Sequence, residues 1–286
     1  MKVLVLCALA ACGGSSEPSI TDGGTSDGTT VDVPGSAACG QAGAPTGSST
    51  ETISVGGVDR AYVRVVPVNY DPARPYPLIF AWHGRGGNGP LARQYFGIEA
   101  AAGSDAILVY PNGLPVTADP NDTGWELTAA GRDIELFDAI QAEVASTYCV
   151  GRTYSMGHSF GGFMSNALAC FRGGTTPTAV RAIASIAGGG PFGACSGGPI
   201  SAVIIHGMQD QVVPFTQGEG SRDAWRTDAG CAATSTAITP SPCVAYDGCT
   251  GGLAIQFCAH NEPQGSGHGW PAFAAGGAWQ LFVDSP

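Results

Sequence analysis

Six short apolar runs mark the chain, at positions 61–67, 77–82, 106–111, 153–156, 180–186 and 200–206. Several are almost continuously apolar and lack the in-and-out alternation of a half-exposed strand. A strand covered on both faces has that composition, which is typical of a parallel sheet. Longer stretches of helical character separate or follow them, at 90–102, 133–147, 159–171, 216–227 and 271–282. Strands that alternate with helices predict an α/β domain, a mostly parallel central sheet with helices on both faces and no large cap domain. In such sheets the chemistry gathers in the loops beyond the strands' C-terminal ends.

The first fifty residues break this pattern. Met1-Lys2 precedes an apolar run at 3–11, too short for the ~20 residues that span a bilayer, so 1–12 reads as a signal peptide. It ends in Leu9-Ala10-Ala11-Cys12-Gly13, which resembles the lipobox of bacterial lipoproteins and makes Cys12 the expected lipidation site. Residues 13–50 are rich in Gly, Ser, Thr and Asp and contain no Lys or Arg. They have too little apolar surface to fold and are expected to be a flexible tether. The folded α/β domain is then expected over 51–286.

Charge and cysteines narrow the compartment and the partners. Twelve Lys and Arg against 23 Asp and Glu give a net charge of −11. Nucleic acid and anionic membrane surfaces would repel such a chain, so membrane contact is expected only through the lipid anchor. Of ten cysteines, Cys7 and Cys12 belong to the leader. The remaining eight, in an exported chain, predict four disulfides. A zinc site from Cys231, Cys243, Cys249, Cys258 and His260 is the competing idea. These residues contain no C-x-x-C pair and an oxidising compartment favours bridges, so no metal is expected. The expected location is extracytoplasmic, either secreted or anchored to a bacterial membrane, and the expected state is a monomer.

Four features carry chemistry. Gly157-His158-Ser159-Phe160-Gly161 is a G-x-S-x-G between a strand and a helix, the context in which a Ser on a sharp turn becomes a nucleophile. His83-Gly84-Arg85-Gly86-Gly87 follows a buried strand. The backbone N–H groups of Arg85 and Phe160 are then the natural donors of an oxyanion hole, and His83 braces the loop. Asp210 stands just past the strand at 200–206, where a carboxylate can orient a histidine. Glu262 and Asp247 are weaker rivals, because neither follows a convincing core strand. His268, in Gly265-Ser266-Gly267-His268-Gly269, can swing over the nucleophile as general base; His260 is its rival. Ser159, Asp210 and His268 follow the chain order of an α/β-hydrolase triad. Cys170 lies eleven residues into the helix after Ser159, about 16 Å from the active end. Cys149 precedes the strand leading to Ser159, so a Cys149–Cys170 bridge is expected to brace the nucleophile turn from below.

The chain resembles the feruloyl esterases of carbohydrate esterase family 1 and the related polyhydroxybutyrate depolymerase family. The resemblance rests on Tyr76–Phe80, His83–Gly89, Tyr95–Glu99, Gly124-Trp125, Gly131–Asp133, Gly157–Gly162, Ser241–Cys243 and Gly267-His268. It implies an α/β-hydrolase fold, a Ser159–Asp210–His268 triad and no cofactor. The expected substrate is an ester on a polysaccharide or polyester, with release of hydroxycinnamic acids from plant cell walls leading. Polyester or acetyl xylan hydrolysis and a catalytically silent carbohydrate-binding lipoprotein are the alternatives. Trp125, Tyr95 and Trp270 are candidates to line the acyl pocket, and Trp82 to narrow it.

Overall fold

The apolar runs become the middle of one large sheet. The structure, a computed structural model, describes residues 35–286. Its strands open with β1 (Gly47–Val55), β2 (Val58–Val66), β3 (Tyr76–Trp82), β4 (Ile107–Pro111), β5 (Leu114–Pro115) and β6 (Thr123–Gly124). They continue with β7 (Val150–His158), β8 (Val180–Ile186), β9 (Ser201–Gly207), β10 (Ser235–Ala237), β11 (Cys243–Tyr246) and β12 (Ile255–His260). The helices are α1 (Gly89–Phe96), α2 (Ile98–Ala102), α3 (Arg132–Thr147), α4 (Phe160–Arg172), α5 (Phe215–Asp228) and α6 (Ala274–Asp284).

Ten strands lie in the order β1-β2-β4-β3-β7-β8-β9-β12-β11-β10. The six from β4 to β12 run parallel, and antiparallel pairs close both flanks. Alternate residues divide the core. Leu78, Phe80, Ile107 and Ile204 meet Ile134, Phe137 and Ile140 of α3, Met164 and Leu168 of α4 and Trp225 of α5. Ile79, Leu108, Val203 and Ile205 meet Phe96 of α1, Ile98 of α2 and Leu281 and Phe282 of α6. Helices on both faces bury most residues of the parallel strands, as their largely apolar composition requires. Among the described residues no connection carries a separate cap domain, and the fold is that of an α/β-hydrolase.

Three expectations change. The helix read at 90–102 is two helices, because Gly97 takes φ 69° and breaks the hydrogen-bond ladder. The end of the tether belongs to the domain: Ser36 donates its N–H to the Val150 carbonyl (2.8 Å), Cys39 is bonded to Cys149, and β1 begins at Gly47. The signal peptide, Cys12 and the tether up to residue 34 lie outside the described residues.

The expected Cys149–Cys170 bridge is also replaced. Eight cysteines do form four disulfides, Cys39–Cys149, Cys170–Cys195, Cys231–Cys249 and Cys243–Cys258. The ordered N-terminal segment crosses the start of β7 and brings Cys39 to Cys149. The β8–β9 connection returns over the end of α4, where Ser196 and Gly197 donate to the Cys170 carbonyl, and delivers Cys195. The four cysteines considered for zinc are all spent in bridges.

Candidate active site

Ser159 occupies the turn between β7 and α4 with φ 56° and ψ −119°. A side-chain-bearing residue rarely adopts a positive φ, and such strain concentrates at functional turns. The turn depends on its glycines: a Cβ on Gly157 would run into the Gly161 backbone, and one on Gly161 into the Trp82 carbonyl. The Ser159 N–H bonds to the Ile186 carbonyl at 2.8 Å, tying the turn to the end of β8. Phe160 begins α4, so its N–H is one of the unpaired donors of a first helical turn.

The loop after β3 is braced from inside by His83. Its Nε2 accepts from the Gly113 N–H at 2.8 Å, so the proton sits on Nδ1, which donates to the Gly84 carbonyl at 2.7 Å. Burial pushes the His83 pKa down to about 4 and keeps the ring neutral. Across a planar trans peptide the next N–H points opposite to the carbonyl. Holding the Gly84 oxygen inward therefore turns the Arg85 N–H outward. Among the described residues neither the Arg85 nor the Phe160 N–H donates to a protein acceptor. Gly86 N–H to Thr123 oxygen (2.8 Å) and the Arg85 side chain to Asp122 (2.5 and 2.6 Å) clamp the loop on the β5–β6 hairpin.

Asp210 and His268 meet after β9 and β12. The His268 Nδ1 lies 2.7 Å from Asp210 Oδ2. Asp210 Oδ1 accepts from the Val212 and Val213 N–H groups at 2.8 and 2.9 Å. Burial alone would raise the Asp210 pKa; the bonds from His268, Val212 and Val213 outweigh it and hold the group below the usual carboxylate range. A second imidazole stands behind it. His206 Nε2 lies 3.3 Å from Asp210 Oδ2 and 2.9 Å from the Val213 oxygen. Burial lowers the His206 pKa and leaves that ring neutral. Gly218 of α5 passes so close that a Cβ there would strike the His206 ring.

Ser159, His268, Gly84 and Arg85 line one open cavity of about 360 Å3, together with His158, Leu91, Tyr95 and Val212. Ser159 and His268 share its wall without a hydrogen bond between their side chains. A second cavity, about 400 Å3, is lined by Asp138, Gln141, Arg172 and Val150. Val150 begins the strand that Ser159 follows, so this cavity lies roughly 25 Å from Ser159.

The aromatic candidates separate. Tyr95, 41% exposed, is on the cavity wall. Trp125 is not: it is 2% exposed, packs edge-on against Trp82 and donates its indole N–H to the His83 carbonyl. It supports the loop after β3 from beneath. Trp270 is half-buried behind Tyr95, stacked on Phe96 at 4.1 Å, and does not line the cavity. Trp82 turns into the core with its N–H on Ser155, so it does not narrow the cavity. His260 lies on the opposite sheet face from His206, beside Phe273, and its Nδ1 accepts the Glu262 N–H. Leu91, Val212, His158 and His206 join the site only in the structure. Only His158, as the second residue of the G-x-S-x-G, carried a sequence signal.

No family model matches the chain. It is 38% identical over 185 residues to feruloyl esterase C of Emericella nidulans, covering 61% of this chain and 64% of that protein. It is 30% identical over 272 residues to feruloyl esterase D of Neurospora crassa, covering 86% of this chain and 89% of the relative. The chain belongs to the feruloyl esterase family. It spans just under two thirds of the family member it matches at 38% identity. Among solved structures it resembles an acetyl xylan esterase from Aspergillus awamori, with a TM-score of 0.63 at 16% identity over 83% of this chain and 100% of that one. A CE1 ferulic acid esterase from Anaeromyces mucronatus aligns with a TM-score of 0.53 at 18% identity, over 86% and 93% of the two chains. At such identities the likeness speaks for the family's fold.

Proposed function

We propose that this chain is a serine carboxylic-ester hydrolase that releases hydroxycinnamic acids from plant cell-wall polysaccharide esters. The observation that carries the reading is one cavity lined by a serine on a strained turn, a histidine paired to a buried carboxylate, and Arg85, whose N–H is unpaired like that of Phe160 next to the serine. The His268 Nδ1–H donates to Asp210, so its Nε2 offers the lone pair. That nitrogen takes the Ser159 proton as Oγ attacks the ester carbonyl, while the Arg85 and Phe160 N–H groups hold the oxyanion. The alkoxide leaves with the proton from His268, and water then attacks the acyl-enzyme by the same route in reverse. Leu91, Tyr95 and Val212, which are 47%, 41% and 63% exposed, offer an apolar wall suited to an aromatic acyl group. Four disulfides fit a compartment outside the cytoplasm. The lipobox-like Leu9–Gly13 segment extends that reading to a lipid anchor.

A fluorophosphonate probe tests the nucleophile: labelling maps to Ser159 in folded protein and disappears in Ser159→Ala. Labelling elsewhere, or none, overturns the esterase reading. Hydrolysis of methyl ferulate, acetylated xylan and polyhydroxybutyrate then tests the acyl group. The aromatic ester turns over with the highest kcat/KM; a preference for either of the others replaces the feruloyl assignment.

A further inference from the structure

His158 precedes the nucleophile, yet both of its ring nitrogens are committed elsewhere. Its Nε2 lies 2.7 Å from the backbone oxygen of His268, and its Nδ1 lies 3.2 Å from the Tyr95 hydroxyl. A carbonyl oxygen only accepts, so Nε2 carries the proton. Burial, the largest influence on the ring, pushes its pKa down to about 4, and it stays neutral. Nδ1 is then an acceptor and Tyr95 is its donor. The chain of bonds runs one way, from the Tyr95 hydroxyl through the imidazole to the His268 carbonyl.

The segment that receives this bond needs an external hold. Gly265, Ser266 and Gly267 have φ of 58°, 58° and 83°, three successive residues in the left-handed region. A side-chain-bearing residue such as Ser266 pays strain there that the surroundings must offset. The His268 and Gly269 N–H groups bond back to Gly265 and Gln264, within the turn itself. Outward, Ser266 oxygen accepts from Gln211 at 3.3 Å and the His268 ring meets Asp210, both on the β9 side. Among the described hydrogen bonds, the one from His158 alone joins this turn to β7, the strand that carries Ser159.

We propose that His158 is a positioning residue: it latches the backbone of the base to the strand of the nucleophile, with Tyr95 setting the direction of the latch. This rests on the reading of Ser159 and His268 as nucleophile and base. Asp210 sets the rotation of the His268 ring, and His158 sets where its backbone stands. Between them the ring is placed from both ends, from two different strands. Tyr95 therefore serves the cavity twice, with its ring on the wall and its hydroxyl on the latch.

The test uses the full chain with His158→Leu, His158→Gln and Tyr95→Phe. Leucine fills the space without a donor, whereas the glutamine amide can present an N–H where Nε2 stood. With methyl ferulate or a nitrophenyl ester, H158L loses about 10- to 100-fold in kcat, the scale of a base displaced by a fraction of an ångström to an ångström. Its KM moves much less than its kcat, because the apolar wall of Leu91, Tyr95 and Val212 remains in place. H158Q recovers most of that loss, and Y95F loses least. Hydrogen exchange of residues 264–270 supplies a readout independent of turnover: it accelerates in H158L and returns toward wild type in H158Q. An H158L protein with wild-type kcat and wild-type exchange overturns the latch, as does an H158Q protein as impaired as H158L in both. A wild-type chain that hydrolyses none of these esters overturns the esterase reading instead, and the exchange measurement still decides the latch.

Discussion

The two ends of the parallel sheet are fastened by different chemistry. At the end where the strands begin, the fastenings are covalent. Cys39–Cys149 ties the N-terminal segment to the start of β7, Cys170–Cys195 ties the end of α4 to the β8–β9 connection, and Cys231–Cys249 closes the end of α5. At the end where the strands finish stand all five histidines of the chain. His83 follows β3, His158 ends β7, His206 lies in β9, His260 ends β12, and His268 is in the loop beyond. A disulfide acts mainly by restricting the unfolded chain and needs no angular accuracy at a distant group. An imidazole with one donor and one acceptor aims its neighbours. His83 aims the Gly84–Arg85 peptide, and His158 holds the backbone of His268. Stability and aim are thus assigned to opposite ends. Cys243–Cys258, which links the flanking strand β11 to the last parallel strand β12, is the one bridge outside this division.

Two variants would break the comparison if it is wrong. The larger effect is expected at the histidine end. Asp210→Asn keeps the shape of the side chain but leaves His268 in the wrong tautomer, and kcat should fall on the order of 10^3- to 10^4-fold. Esterase assays give the rate and a thermal melt gives the stability; a variant that melts far below wild type while keeping its rate would refute the division. At the other end, Cys39→Ala with Cys149→Ala opens a connection with a sequence separation of 110 residues. Urea unfolding should then report a loss of roughly 3–5 kcal/mol. The rate per folded molecule should stay at the wild-type value, and a matching fall in kcat would show that the far end reaches the site.

The same division explains what could be read from the chain alone. Strands buried on both faces must be apolar throughout, so β3, β4, β8 and β9 announce themselves. The loops after β3, β7 and β9 then carry Arg85, Ser159 and Asp210 at the positions the topology exposes. Strand β1 escapes because it sits at the sheet edge and pairs only with β2. Its residues, Gly-Ser-Ser-Thr-Glu-Thr-Ile-Ser-Val, alternate between half-buried and exposed and look like more of the tether. The short flank strands β10 and β11 have the same difficulty. Trp125 shows a different limit: an aromatic residue beside an active-site loop can face the cavity or the core, and only the packing of Trp82 decides. Disulfide partners are hidden for a third reason. The contact between Cys39 and Cys149 exists only once the N-terminal segment has crossed β7, and no local pattern encodes that crossing. The contacts of His158 and His206 are hidden likewise, since their partners lie elsewhere in the chain.

The smallest expected effect sharpens the comparison, because disulfides do not titrate in the acid range and buried imidazoles do. The His83 pKa is pushed from the ordinary 6.5 down to about 4 by burial, and that of His158 moves the same way to about 4. Between those values the unfolded chain binds protons that the folded chain refuses, so acidification favours unfolding. Stability should therefore be fully present above about pH 6.5, fall as the pH drops toward about 4, and level off below, where both forms are protonated. A full shift at one buried site corresponds to about 3 kcal/mol, an upper figure for His83. Asp210 does not confuse the window, since its pKa is held below the ordinary 3.8 and its contribution is lost only at lower pH. Urea midpoints at pH 7, 5.5 and 4.5 would show the slope in wild type and a shallower slope in His83→Asn. The Cys39→Ala, Cys149→Ala protein should start lower and keep the wild-type slope. A wild-type midpoint that stays flat across this range would mean that the histidine end does not depend on neutral imidazoles, and the contrast between the two ends would fail.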